Sequence, residues 1–122
     1  MKILVVEDKA EIRDLLYCFL THLHGQKMVG EFKILSSGEE ALAEIAMCSD
    51  LDIIFTDVNL PGIGGLELIR RVKTEHPDIR CVATSAFDYA EEAVSVGAES
   101  FFRKPYDPGA LMGKILNIEG GR

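Results

Sequence analysis

The chain alternates between short unbroken apolar runs and longer stretches in which apolar residues return every three or four positions. Ile3-Leu4-Val5-Val6 is the first run, and a run with no polar position predicts a strand covered on both faces. Ile12, Leu15, Leu16, Phe19, Leu20 and Leu23 then fall on one side of a helix. Phe32-Lys33-Ile34-Leu35 predicts a second strand, and Ser37-Gly38-Glu39-Glu40 a capping box for a helix carrying Ala41, Leu42, Ile45 and Ala46. The third strand is expected over Ile53-Ile54-Phe55-Thr56. The third helix should run from Gly64 or Gly65 to Glu75, with Pro77 stopping it just beyond. A fourth strand is read over Ile79 to Ala83, and a short helix around Glu91 to Val96 with Gly97 as its stop. Phe101-Phe102 marks a fifth strand, and Pro108 to Ile118 a last helix that turns Leu111, Ile115 and Leu116 inward. Five βα units in succession predict an α/β fold: a doubly wound parallel sheet, helices on both faces and right-handed crossovers.

Length adds that 122 residues make one domain with a real core, so residues 1–122 are expected to form a single unit, with 119–122 as a C-terminal tail. No apolar run approaches the ~20 residues that span a bilayer. MKILVVED is too short and too acidic for a signal peptide, so a cytoplasmic protein is expected. Thirteen basic against twenty acidic residues give a net charge of −7 with Lys and Arg scattered, which argues against nucleic acid or anionic membranes as partners. Cys18, Cys48 and Cys81 are odd in number and lack CxxC spacing, so they read as small core residues in a reducing compartment. His22, His24 and His76 form no metal set; His22 and His24 suit a helix C-terminus.

The candidate chemistry sits where strands end. Glu7-Asp8 follows the first strand, Asp57 the third, Thr84-Ser85 the fourth and Arg103-Lys104-Pro105 the fifth. In open α/β sheets, ligands gather at the carboxyl ends of the strands. If the first and third strands are neighbours, three carboxylates converge, and like charges so close need a compensating cation. A hard divalent ion suits oxygen ligands, with Mg²⁺ favoured because it keeps waters and accepts a phosphate oxygen. Lys104 and the Ser85 hydroxyl would then be donors to a phosphoryl group. Each residue also has a plainer role. Asp57 suits a turn, Asp8 a capping box spelled Asp8-Lys9-Ala10-Glu11, Lys104 an exposed lysine and Ser85 a strand-end hydroxyl. Their shared position on one edge of the sheet favours the joint reading.

The segments ILVVED, DVNLPGIGG, TSA and GAESFFRKP, in that order over essentially the whole chain, resemble the receiver domain of two-component response regulators, the CheY-like family. The resemblance implies a flavodoxin-like sheet with strand order 2-1-3-4-5. It also implies that Asp57 is the phosphoacceptor, taking a phosphoryl group from a phosphohistidine to form an aspartyl phosphate. Glu7, Asp8, Asp57 and the backbone carbonyl of Asn59 match the ligands of Mg²⁺, with Mn²⁺ as the alternative ion. Ser85 matches the switch hydroxyl, with Thr84 as the alternative, while Lys104 matches the lysine that pairs with the phosphoryl oxygens. Phe101 matches the switch aromatic, which turns from exposed to buried, and Lys104-Pro105 the family's cis peptide. Asn59 and Phe87 fall where the family tunes the lifetime of the phosphoryl group.

Partners implied are a sensor histidine kinase or a histidine phosphotransfer protein, and a downstream protein reached through the fourth helix, fifth strand and fifth helix; phosphorylation-dependent homodimerisation is open. Such a protein signals rather than acting as a classical enzyme, although it assists its own phosphotransfer and slow autodephosphorylation. The ends of the chain suggest a stand-alone receiver or phosphorelay intermediate, with an excised receiver as the alternative. Glu7 departs from the aspartate of many members. The interval from Ser85 to Lys104 is nearly one helical turn short, so the fourth helix should be short or poorly ordered and partner recognition unusual. Two rivals remain: a receiver-like module that works without phosphorylation, and a phosphatase of the haloacid dehalogenase type. The second wants an acid where this chain has Asn59.

Overall fold

The computed structural model describes residues 1–48 and 50–119, with side chains described through residue 116. Strands and helices alternate: β1 (Ile3–Val6), α1 (Ala10–Gly25), β2 (Phe32–Leu35), α2 (Gly38–Met47), β3 (Ile53–Asp57), α3 (Gly65–Glu75), β4 (Arg80–Ser85), α4 (Ala90–Val96), β5 (Ser100–Arg103) and α5 (Pro108–Glu119). The strands pair in parallel in the order β2-β1-β3-β4-β5, as expected.

Pleating sends alternate residues of each strand to opposite faces. Leu4, Val6 and Ile54 pack with Ala41 and Ile45 of α2, Leu68, Ile69 and Val72 of α3, and Ala93 of α4. Ile3, Val5, Phe55 and Val82 pack with Leu16, Leu20 and Leu23 of α1 and Leu111, Met112 and Ile115 of α5. Both faces are covered, which is why the strands read as continuous apolar runs rather than alternating ones.

Local signals set most boundaries. Ser37 caps α2: its Oγ accepts from the Glu40 N–H at 3.1 Å and donates to the Glu40 carboxylate at 3.3 Å. α4 is short, as expected, and ends at Gly97 with φ +114°. Gly65 opens α3 so close to the backbone carbonyl of Asp57 that a side-chain carbon there would collide with it. That residue must be glycine for the loop after β3 to fold back against its own strand.

Some expectations are corrected. Leu15 is 56% exposed, because it stands about 100° around α1 from Leu16 and so off the buried stripe. Leu116 is only half-buried, whereas Met112, not anticipated, is buried. Cys81 is a core residue, its thiol pushed up to about 12 by burial, but Cys48 is half-buried and Cys18 exposed. The Asp8-to-Glu11 capping box does not form: Lys9 is the N-cap of α1 and no side chain caps it. β4 starts at Arg80 and continues through Thr84 and Ser85, whose partners on β5 are Phe102 and Arg103. His22 and His24 do lie in the last turn of α1, and His24 Nδ1 lies 2.6 Å from the Gly30 carbonyl and 3.2 Å from that of Val29. Of the expected tail, Glu119 belongs to α5 and residues 120–122 lie outside the described residues. No helix among the described residues is long and apolar enough to cross a membrane.

Candidate functional site

β1 and β3 are adjacent and in register, Val6 opposite Thr56, so the residues that follow them meet. Glu7 and Asp57 are both buried there. Glu7 is fixed through its main chain: its N–H donates to Leu35 O at 2.9 Å, and its carbonyl accepts from the Arg13 guanidinium at 3.0 Å. The Lys9 N–H donates to Glu7 Oε2 at 3.2 Å, and the Asn59 N–H to Asp57 Oδ1 at 3.3 Å. Lys104 arrives from the end of β5, its own N–H bonded to Ser85 O at 2.8 Å. Its Nζ lies between the two acids, 3.1 Å from Glu7 Oε1 and 3.2 Å from Asp57 Oδ2.

One ammonium cannot balance three carboxylates. Burial pushes the Glu7 carboxyl above its ordinary range and the charge of Asp57 adds to the rise, against the partial opposition of Lys104. Burial alone would lower Lys104, but the negative charges of Asp57 and Glu7 outweigh it and hold its pKa above the ordinary lysine value. The Tyr106 phenol is also pushed up, by burial first and then by Glu7 and Asp57.

Asp8 Oδ1 is buried and finds no hydrogen-bond partner among the described residues. A buried acceptor without a donor is costly, and a cation would satisfy it. Glu7, Asp8 and Asp57 each offer an oxygen, all within 4.8 Å of one another. This all-oxygen, acidic set fits a hard divalent cation such as Mg²⁺. Beside it opens a cavity of about 130 Å³, with Asp57, Asn59, Ala86, Phe87 and Lys104 in its wall. At about 30 Å³ per water it has room for a group of several heavy atoms.

The two hydroxyls at the end of β4 differ. Thr84 Oγ1 donates to Phe102 O at 2.7 Å, tying β4 to β5. Ser85 Oγ donates to Asn59 Oδ1 at 2.5 Å and accepts from the Phe87 N–H at 3.0 Å. Phe101 is half-buried, packed against the core on the α2-α3-α4 side rather than fully exposed. The Lys104-Pro105 peptide is cis. The structure thus brings Glu7, Asp8, Asp57 and Lys104 together, with Ser85 joined to them through Asn59 and Phe101 on the next strand.

Sequence reasoning missed three participants. The Lys9 N–H and the Arg13 guanidinium hold Glu7, and Tyr106 adds a buried phenol near the acids. An aromatic after Lys-Pro reads as core. Only the packing of α1 against β1 reveals Arg13.

Residues 3–116 match the family model of the response regulator receiver domain. The chain belongs to that family. It is 33% identical over 107 residues to the response regulator GacA of Pseudomonas syringae, covering 85% of this chain and 48% of that one. It is 30% identical over 119 residues to the transcriptional regulatory protein FlgR of Helicobacter pylori, covering 98% and 30%. The receiver chain thus spans about half or less of these curated relatives. Among solved structures, the chemotaxis response regulator CheY4 of Vibrio cholerae is similar, with TM-score 0.80, 26% identity and 96% and 97% of the chains covered. The signal receiver domain of a DNA-binding response regulator from Colwellia psychrerythraea matches with TM-score 0.85, 25% identity and 98% of each chain covered. Receiver domains are signalling proteins of two-component systems rather than classical enzymes. They bind Mg²⁺ at an acidic pocket and are phosphorylated by histidine kinases to act on downstream effectors.

Proposed function

We propose that Asp57 is the phosphoacceptor of this receiver, taking its phosphoryl group from a phosphohistidine on a sensor histidine kinase or a histidine phosphotransfer protein. The observation that carries the reading is the position of Lys104 Nζ, bonded to both Glu7 and Asp57 next to the unpartnered Asp8 oxygen. An Asp57 carboxylate oxygen attacks phosphorus, the new O–P bond forms as the P–N bond breaks, and the electron pair leaves with the imidazole nitrogen. Phosphoryl transfer asks a protein chiefly for positioning and charge neutralisation. Positioning comes from the Asn59 N–H on Oδ1 and Lys104 on Oδ2. Glu7, Asp8, Asp57 and the Asn59 backbone carbonyl would hold Mg²⁺, which when bound neutralises charge on the phosphoryl oxygens. Lys104 exchanges a carboxylate for those same oxygens, and water entering the cavity would return the aspartate slowly.

The added dianion recruits the Ser85 hydroxyl, and Phe101, already half-buried on the neighbouring strand, turns inward behind it. The surface of α4, β5 and α5 then changes for a downstream protein, with residues 1–122 acting as one signalling unit. The test is intact-protein mass after incubation with acetyl phosphate and Mg²⁺, alongside Asp57→Asn. A gain of one phosphoryl group that needs Mg²⁺ and disappears in the variant is the expected outcome. Absence of the gain, repeated with a phosphohistidine donor, would overturn the assignment.

A further inference from the structure

Ser85 is wholly buried and its one donor is committed: the hydroxyl accepts from the Phe87 N–H and donates its proton to Asn59 Oδ1. A serine hydroxyl has a single proton to give. It therefore cannot donate to Asn59 and to an anion on Asp57 at once. Asn59 is also the residue whose N–H bonds Asp57 Oδ1, and it lines the cavity together with Asp57 and Lys104. One residue thus touches both the carboxylate and the switch serine, 26 positions further along the chain.

We propose that the Asn59 carboxamide is a latch: it holds the Ser85 hydroxyl off the acceptor site, and an anion at Asp57 must take the Ser85 proton away from Asn59 before the switch can move. This rests on Asp57 being the acceptor. Asn59 acts here as a positioning residue, setting the resting orientation of Ser85 and so the threshold of the switch. Breaking the latch costs the bound state one hydrogen bond, and Asn59→Leu, of similar shape but without an acceptor, removes that cost in advance.

The experiment is a double-mutant cycle of Asn59→Leu and Ser85→Ala, reading affinity for beryllofluoride with Mg²⁺ by amide resonances. Asn59→Leu should tighten binding about fivefold, the size of one net hydrogen bond, when Ser85 is present. It should have no such effect in the Ser85→Ala background, and Ser85→Thr, which restores a hydroxyl, should restore it. Equal effects in both backgrounds would overturn the latch, because Asn59 would then act on the ligand directly; so would no effect in either. If the wild type takes up no beryllofluoride, the acceptor assignment has failed. The latch is then decided on the unliganded proteins. Asn59→Leu should shift the Phe87 amide resonance when Ser85 is present but not in Ser85→Ala, and an unmoved resonance refutes it.

Discussion

Among the described residues, two lysines each lie between two carboxylates, at opposite ends of the same sheet. Lys104 Nζ is 3.1 Å from Glu7 and 3.2 Å from Asp57, and Lys2 Nζ is 3.0 Å from Glu31 and 3.1 Å from Asp50. By distance the two are the same object. By environment they are opposites: the acids beside Lys104 are 1% and 2% exposed, those beside Lys2 76% and 75%. Water can solvate every charge around Lys2, so that triad demands nothing of the fold. At the carboxyl edge the fold has taken two acids out of water, placed Asp8 beside them and supplied one cation. The difference shows that contact geometry does not by itself mark a site; uncompensated burial does.

Removing the cation between the two buried acids should have the largest effect. Lys104→Met leaves Glu7 and Asp57 facing each other without their ammonium, and an orphaned buried charge costs about 3 kcal/mol or more. Urea denaturation of the metal-free protein should show that loss, and Mg²⁺ should recover part of it, because a divalent cation can take over the neutralisation. A loss no greater than that from Lys2→Met would mean that the site is open to water and the contrast between the two ends is false.

The next change acts in the other direction. Glu7→Gln removes one of the crowded buried charges, and it should stabilise the metal-free protein at neutral pH by about 1 kcal/mol while weakening the hold on Mg²⁺. The sign with pH follows from the raised Glu7 pKa. Between the unfolded-state value and the higher folded-state value, the folded protein binds more protons than the unfolded one. Stability attributable to Glu7 is therefore greatest at low pH and is lost as pH rises through the folded pKa. The wild-type minus variant difference in stability, measured across pH 4 to 8 without metal, should fall as pH rises; a rising difference would mean that Lys104 overcompensates Glu7 and the site is not acid-rich in effect.

The two ends also differ in how far the sequence revealed them. Strands were legible because each lies inside a doubly covered sheet, which leaves an unbroken apolar run such as Ile3 to Val6. The place of Asp57 at the carboxyl end of a strand followed from the order of the βα units. Other features need the folded chain. Spacing placed Leu15 on the apolar face of α1, although only its neighbour Leu16 meets the core. Asp8 satisfied a local capping pattern and a distant acidic cluster equally well in sequence, and only the Lys9 cap and the buried unpartnered oxygen separate them. The Lys104–Glu7 bond joins residues 97 apart, so nothing local in either segment announces it. The Ser85–Asn59 bond is harder still, because serine and asparagine at loop ends usually serve their own turns.

The smallest effect should come from the exposed triad, where it is also most diagnostic. Lys2→Met breaks contacts with Glu31 and Asp50 that are as short as those of Lys104, yet all the groups left behind remain hydrated. Its change in urea midpoint should be close to the scatter between repeats in dilute buffer. It should vanish in 1 M NaCl, where the screening length is about 3 Å. Lys104→Met should keep most of its loss in the same salt, because diffuse screening acts far less on buried charges than on exposed ones. Salt dependence therefore separates two triads that interatomic distance cannot. If both effects faded together, the carboxyl edge would be screened like an ordinary surface, and burial would no longer distinguish the acidic site from the rest of the sheet.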